Sequence, residues 1–527
     1  MNLAISLKRA ISQWPNKEAF VDGQKRLTYS EFGKKVAALT NAFADLGLTK
    51  GASIAILAPN CIEFCELYYA AACFGAVLCP INYRLASSEI AEILEHSESQ
   101  LLFCHGDFAE QAVRALENRH AIRLLAWLGV APEADTKVKS VAYEDLFESQ
   151  LNKELIDNQA VGSDLAQIYY TSGTTGQAKG VMLTHENVTY NALGAIAELS
   201  LNDSHCWFHA APMFHFVDAW AVFALTWVGG KHAFLPYFDA EALLPLLEAE
   251  SVSHTALVPT MVNALLNCQA VSKHTYPTLN TIMTAGSPIA PEIVKQIQEI
   301  FSCTYVQFYG MTETSPFLSI SLPKSQHLER SKAEVLAIRS KTGRPFIGVD
   351  LRIVNEDGRD VARDGIEVGE IIARGPNVTK GYWKNPEATA SAIRDGWIYT
   401  GDLAVMDSDG YINVVDRSKD MIISGGENVY STEVEYVLHE HPAILECAVF
   451  GIPDEKWGEL VHAAVVFRTG QNVEQEELTE FIRERLARYK VPRHWEILQE
   501  LPKTGSGKIK KKELRDKFWL GHTRRIN

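Results

Sequence analysis

Short apolar runs alternate with stretches of helical spacing along the first part of the chain. Ser53–Leu57 has the continuous apolar character of a buried strand, and Cys61–Phe74 follows with helical spacing. Leu165–Tyr170 is again strand-like and runs into a turn of glycines and hydroxyls; a helix then opens near Thr184-His185-Glu186-Asn187. Thr255–Val258, Thr281–Ala285 and Tyr305–Phe308 read as three more buried strands, and helices follow the first two from Met261 and Pro291. Strands alternating with helices predict a parallel, helix-covered sheet. Ligands of such sheets sit beyond the carboxyl ends of the strands. Three strands here end in glycine-bearing loops, Thr171–Gly176, Ala285-Gly286-Ser287-Pro288 and Tyr309-Gly310-Met311-Thr312-Glu313-Thr314, so one shared site is expected.

Beyond about residue 340 the texture changes. Short strands separated by Asp357-Gly358, Asp364-Gly365, Asp395-Gly396 and Asp409-Gly410 mark a β-rich subdomain. Smaller αβ units follow at Glu433–Leu438, Ala448–Gly451 and Glu476–Arg485. The charged run Asp416–Asp420 between them sets an expected boundary, with a large domain over residues 1–416 and a small one over 417–527. The expected fold class is therefore α/β: a large N-terminal domain of helix-covered sheets plus a β-rich subdomain, then a small α+β C-terminal domain.

Composition removes several function classes. The 527 residues correspond to roughly three to four domain-sized units. Hydrophobic content of 47% can fill a sizeable core, and a net charge of −15 argues against a nucleic-acid partner. The longest apolar run, around Leu67–Ile81, contains Cys79-Pro80 and is too short to span a bilayer. No secretory leader pattern opens the chain and no Ser-Lys-Leu address closes it. The 9 cysteines are scattered and odd in number, which fits reduced, buried thiols in a cytoplasmic protein. The assembly can be a homodimer as well as a monomer.

Chemistry concentrates in a few loops. Tyr169–His185 contains three glycines that let backbone approach a ligand, hydroxyls on Thr171, Ser172, Thr174 and Thr175, and the cation of Lys179. These are parts that wrap a polyphosphate. The spacing is not that of a Walker A loop, because Lys179 follows Gly176 by three residues and no Ser or Thr follows it. Thr312-Glu313 places a carboxylate after the strand that carries Tyr309, where it could hold Mg²⁺ through oxygen. It could equally be a surface Glu. Thr400-Gly401-Asp402 ends a strand, and its Asp is either a ribose acceptor or a turn residue. Asp416–Asp420 reads alone as a solvated linker, Ser424–Asn428 as a tight turn, and Pro502–Lys508 as part of a basic tail.

As a set these segments are more specific than any member. The order Thr-Ser-Gly-Thr-Thr-Gly, Tyr-Gly-x-Thr-Glu, Thr-Gly-Asp, Asp-Arg-x-x-Asp and Gly-x-Gly-Lys resembles the AMP-forming adenylate superfamily, from Leu27-Thr28-Tyr29 to Arg515. Asp420–Tyr430 and Ala487–Pro492 resemble its acyl-CoA synthetase branch. The resemblance implies ATP, Mg²⁺ and CoA as cofactors and a small-molecule carboxylic acid as substrate. The acid is first joined to AMP and then passed to the CoA thiol. By motif, Thr171, Ser172, Gly173, Thr174, Thr175, Gly176 and Lys179 would hold the β- and γ-phosphates. Thr312 would meet the α-phosphate, Glu313 the metal, Tyr309 and Gly286 the adenine, and Asp402 and Arg417 the ribose. Lys508 would reach the reacting oxygens. The family's small domain is mobile and rotates between steps, with Lys419 at the hinge, Gly425, Gly426 and Trp457 against CoA, and His215 as a gate.

Two departures from the family pattern stand out. Asp218 occupies a position that is usually small, and as a buried carboxylate it needs a polar partner. Val491 stands where some aromatic-acid ligases carry Arg. An acyl pocket lined by Phe216, Val217, Thr260, Met261, Ser287, Phe308, Met311 and Phe317 favours a medium or long fatty acid. An aryl or cyclic acid is the alternative, and a stand-alone protein that passes its acyl group to a carrier protein is a further one.

Overall fold

Two mostly parallel sheets carry the large domain. The structure is a computed structural model, and it describes every residue except 118–120, 133–135, 157–159, 173–177, 288, 505–506 and 521–527. A 7-stranded sheet contains Ser53–Leu57, Val77–Pro80 and Leu165–Ser172, and a 9-stranded sheet contains Cys206–His209, His254–Leu257, Thr281–Thr284 and Thr304–Gly310. Their central strands pair in parallel; antiparallel strands close both edges of the 9-stranded sheet and one edge of the 7-stranded one.

The helix Ile62–Phe74 is apolar all round and is accordingly buried at every position but Glu63. Its one inward carboxylate, Glu66, is matched by Lys35 Nζ at 3.2 Å and by the Tyr143 hydroxyl at 2.7 Å. A buried charge persists only with such partners.

The glycine- and hydroxyl-rich turn does not lead straight into a helix. Ala178–Thr184 forms a second strand, antiparallel to Leu165–Ser172, with Thr171 opposite Lys179. Pairing on its other side drives this choice: Met182 N donates to Gly381 O at 3.0 Å, and Trp383 N donates to Gly180 O at 2.7 Å. The helix His185–Leu199 begins only after Thr184, whose hydroxyl accepts from Asn187 N at 3.1 Å. The three glycine-bearing loops therefore come from two sheets. Thr400-Gly401-Asp402 also departs from expectation, lying inside the strand Trp397–Met406. The ladder slips there between Glu370 and Ile372, and Gly401 at φ +72° supplies the bulge that turns Asp402.

The C-terminal region has its own sheet and core. Ile422–Ser424, Glu427–Val429, Ile444–Asp454, Gly458–Phe467 and His494–Ile497 form a 5-stranded sheet. Helices Ser431–His439 and Gln475–Arg483 cover it through Val434, Leu438 and Ile482. The fold is α/β, with a large N-terminal domain and a smaller C-terminal one. No helix among the described residues is long and apolar enough to cross a membrane.

One glycine shows how tightly the loop Tyr309–Thr314 is built. A Cβ on Gly310 would lie 1.7 Å from Pro316 O, a backbone atom with no side chain to move aside. Gly358, at φ +75°, has open space around its Cβ position. Urea denaturation of the full chain is expected to show Gly310→Ala losing about 3 kcal/mol or more through overpacking. Gly358→Ala should lose only about 1–2 kcal/mol from its left-handed backbone. Equal losses would contradict the packing account.

Candidate active site

Tyr309 ends the strand Thr304–Gly310, and its hydroxyl donates to Asp402 Oδ2 at 2.7 Å. Arg417 Nε donates to the other oxygen of Asp402 at 3.1 Å. The bulge at Gly401 thus delivers a buried carboxylate to a tyrosine from one sheet and an arginine at the end of the strand Ile412–Arg417. The neighbouring Asp402 charge holds the Arg417 guanidinium above its ordinary range.

Glu313 lies in the short turn Thr312–Thr314, with Thr312 half-buried beside it. Its Oε1 accepts the Tyr382 hydroxyl at 2.8 Å, and its carbonyl accepts from Thr379 N at 2.7 Å. Burial pushes the Glu313 carboxyl up, while Tyr382 and the charges of Arg417 and Lys179 pull it down. The Lys179 ammonium lies 5.3 Å from the centroid of the same Tyr382 ring. The segment Thr379–Trp383 therefore ties the Glu313 turn to the strand that bears Lys179. Gly173, Thr174, Thr175 and Gly176 lie outside the described residues; Thr171 and Ser172 pair through their backbones with Lys179 and Ala178.

Lys508 closes this group from the small domain. Its N donates to Thr504 Oγ1 at 3.1 Å, and Thr260 Oγ1 of the large domain donates to Gly507 O at 3.2 Å. Its side chain lies over Gly286: a Cβ there would stand 2.8 Å from Lys508 Cε, and Gly286 has φ +93°. Burial and the Arg417 charge lower the Lys508 ammonium to about 8, while Asp402 and Glu313 pull it upward. Four charged side chains that the sequence placed in four separate motifs thus sense one another, with Arg417 at the exposed side of the group.

His215 precedes the helix Phe216–Val228 and is half-buried, with its Nε2 shielded from solvent. Burial, with help from Lys508 and Arg84, lowers it to about 3, so the ring is neutral. Its Nε2 has no hydrogen-bond partner among the described residues. Asn60 braces the preceding loop, donating to His209 O at 3.1 Å and to Ala211 O at 3.0 Å, and accepting from Met213 N at 2.8 Å. Of the expected acyl lining, Phe308 and Phe317 meet edge to face at 4.4 Å. Met311 packs instead against a cluster that joins Leu318 to Leu351, Ile371 and Ile398 of the β-rich subdomain.

Gly425, Gly426 and Trp457 form a second cluster on the small domain. Both glycines have positive φ, as the tight hairpin between Ile422–Ser424 and Glu427–Val429 demands. Gly425 N donates to Trp457 O at 2.8 Å, and the indole packs where a Gly425 Cβ would be. Arg493 and Lys456 place cations 4.6 and 5.1 Å from the Trp457 ring. Burial and Arg417 lower the Lys419 ammonium. Sequence reasoning missed Arg493, Tyr382 and Arg84. Arg493 stands two residues beyond Val491, and only the fold carries its side chain back over Trp457. Tyr382 follows Gly381, whose φ of +130° is the one local sign of a special backbone there.

A family profile described as AMP-binding enzyme matches residues 7–383, and one described as AMP-binding enzyme C-terminal domain matches 433–508. Feruloyl-CoA synthase from Amycolatopsis sp is 37% identical over 506 residues, covering 96% of each chain. 2-Succinylbenzoate–CoA ligase from Geobacillus sp. (strain WCH70) is 33% identical over 95% of this chain and 94% of its own. The solved o-succinylbenzoate CoA synthetase of Bacillus subtilis, in complex with its acyl-adenylate intermediate, superposes with a TM-score of 0.81. It is 28% identical, over 97% of this chain and 98% of that one.

The electrostatics yield a test that needs no turnover. Lys508 is expected to titrate near 8, charged below that pH and neutral above it. The ¹³C-methyl resonance of the reductively dimethylated lysine, assigned with Lys508→Arg, reports this directly. Asp402→Asn removes an upward pull and should lower the midpoint further; an unshifted value near that of a free lysine would contradict the buried seat.

Proposed function

The chain belongs to the AMP-binding enzyme family, and from that premise we propose that it joins an aromatic carboxylic acid to CoA in two steps. In the first, a carboxylate oxygen of the acid attacks the α-phosphorus of ATP, and the bond to pyrophosphate breaks. In the second, the CoA sulfur attacks the acyl carbon, AMP leaves with the bonding electrons, and the thiol proton passes to solvent. The observation that carries this reading is the buried ammonium of Lys508 over Gly286, facing the group of Asp402, Glu313 and Arg417.

In the first step negative charge grows on the oxygens between the acid and the phosphates. Fixed donors and cations aimed at those oxygens lower the barrier without reorganising. Lys508 supplies one such cation, and Lys179 with the preceding loop another. Thr312 offers a hydroxyl to the α-phosphate. Tyr309 and Gly286 give the adenine a flat surface, and Asp402 with Arg417 takes the ribose. A buried carboxylate beside phosphates suits Mg²⁺, which takes few protein ligands and keeps substrate oxygens and water. Glu313, held by Tyr382, fits that ion, which when bound would neutralise phosphate charge. Neutral His215 stands at the acyl end without competing as a cation. For the second step we assign the CoA-facing role to Gly425, Gly426 and Trp457, with Arg493 and Lys456 supplying the cations that Val491 does not. Lys419 serves as the hinge between residues 1–416 and 417–527.

The fatty acid expected from an apolar lining gives way to an aryl acid. The relatives named above act, by their names, on feruloyl and succinylbenzoate groups. The aromatic character of Phe308 and Phe317 supports the same class.

Two outcomes follow. Lys508→Ala should slow pyrophosphate release by on the order of 10²-fold, the cost of one preorganised charge. The same variant, given acyl-adenylate and CoA, should still make thioester; equal losses in both half-reactions contradict the assignment. In a panel from acetate to palmitate with benzoates and cinnamates, CoA-dependent AMP release should be fastest with an aryl acid. A preference for palmitate would return the reading to a fatty-acid ligase.

A further inference from the structure

Asp218 is the departure that the reaction leaves unexplained. It stands in the first turn of the helix Phe216–Val228 and is fully buried. Its Oδ1 accepts the indole N–H of Trp207 at 2.9 Å, and its Oδ2 lies 2.5 Å from His209 Nδ1. Both partners belong to the neighbouring strand Cys206–His209. The chain of contacts then continues: His209 Nε2 is 3.0 Å from His232 Nδ1, and His232 Nε2 is 3.2 Å from Thr226 Oγ1. Thr226 is on the same helix as Asp218. The network leaves the helix at its first turn and rejoins it about 12 Å along its axis, at 1.5 Å per residue. A carboxylate this deep is retained only with donors on both oxygens, and here the donors fasten the helix to the sheet at two points.

The fastened face carries an aromatic wall. Trp207 meets Trp220 edge to face at 4.8 Å. Trp220 in turn meets Phe317 at 4.9 Å and Phe308 at 6.4 Å, both nearly perpendicular. Its N–H donates to Val217 O at 3.0 Å, so the indole has little freedom to swing. Trp220 lies five residues beyond His215 along the helix, a rise of about 7.5 Å. Trp220 has no accessible surface of its own, so it acts from behind Phe308 and Phe317.

We propose that Trp220, packed behind Phe308 and Phe317, backs the end wall of the acyl pocket and sets its preference for ring-sized acids. Asp218 is a positioning residue for that wall: it holds Trp207, and Trp207 backs Trp220. The inference rests on the aryl-acid reading above and adds the residues that enforce it.

The test uses the full chain and CoA-dependent AMP release with cinnamate, hexanoate, dodecanoate and palmitate. Trp220→Ala should raise kcat/KM for dodecanoate relative to cinnamate by on the order of tenfold or more, the scale on which hydrophobic pockets discriminate. The KM for ATP should stay where it is. Trp207→Phe keeps a ring behind Trp220 but gives Asp218 no N–H. It should shift selectivity the same way by less, through the KM for the acid with kcat little changed. Asp218→Asn keeps an acceptor for Trp207 and should stay near wild type, whereas Asp218→Ala should follow Trp207→Phe. If Asp218→Ala does not fold, Trp207→Phe alone decides the positioning claim. Wild type that favours cinnamate, with a folded Trp220→Ala of unchanged selectivity, overturns the wall and leaves the aryl reading standing. Wild type that favours palmitate overturns both.

Discussion

A lysine ammonium taken out of water organises this site. Lys508 arrives from the small domain, loses its hydration over Gly286, and has Arg417 as a neighbouring like charge. Only Asp402 and Glu313 pull its titration back upward. Each of those carboxylates is fixed by a tyrosine, Asp402 by Tyr309 and Glu313 by Tyr382. The tyrosines in turn depend on the two sheets and on the segment Thr379–Trp383. Displacing any of these elements changes the field at Lys508, because charges in a low-dielectric space are poorly screened.

The strands and helices of the large domain were largely legible, since a buried parallel strand is continuously apolar and the surrounding helices keep their own period. Errors fell where tertiary pairing overrides local pattern. Ala178–Thr184 is a strand because the chain near Gly381 pairs with it, and nothing in its own residues announces a partner some two hundred positions away. Thr400-Gly401-Asp402 resembles a strand end because a bulge and a turn use the same residue types. Lys508, Glu313, Asp402 and Arg417 were legible as members of a motif set, whereas charge and composition alone favoured a basic tail around Lys508. Tyr382 was not legible: its role depends on geometry at both Lys179 and Glu313.

Asp218 shows how a departure from a family pattern can be reinterpreted by packing. Read as sequence, Asp218 is a carboxylate in need of a polar partner that the sequence does not identify. In the fold its oxygens are engaged by Trp207 and His209, and neither neighbour is exposed. The charge therefore serves the wall rather than the ligand. An apolar lining read residue by residue favoured a flexible chain, but the edge-to-face geometry of Trp220, Phe308 and Phe317 is a rigid surface.

The same electrostatics give the two proposed steps an order. Among the described residues, the polar contacts that hold the small domain in the arrangement that seats Lys508 include Thr260 to Gly507 O at 3.2 Å and Arg468 to Asn267 at 2.5 Å. A typical hydrogen bond contributes about 1 kcal/mol net, whereas burying an ammonium costs several kcal/mol unless an anion answers it. ATP and a carboxylate bring that anionic charge and so favour the seated arrangement. Departure of pyrophosphate removes most of it, and the penalty on Lys508 returns. The balance then favours withdrawal of the lysine when its step is complete, leaving the small domain free to present Gly425, Gly426 and Trp457. For the proposed hinge at Lys419, release of the first product rather than the arrival of CoA sets the direction of movement.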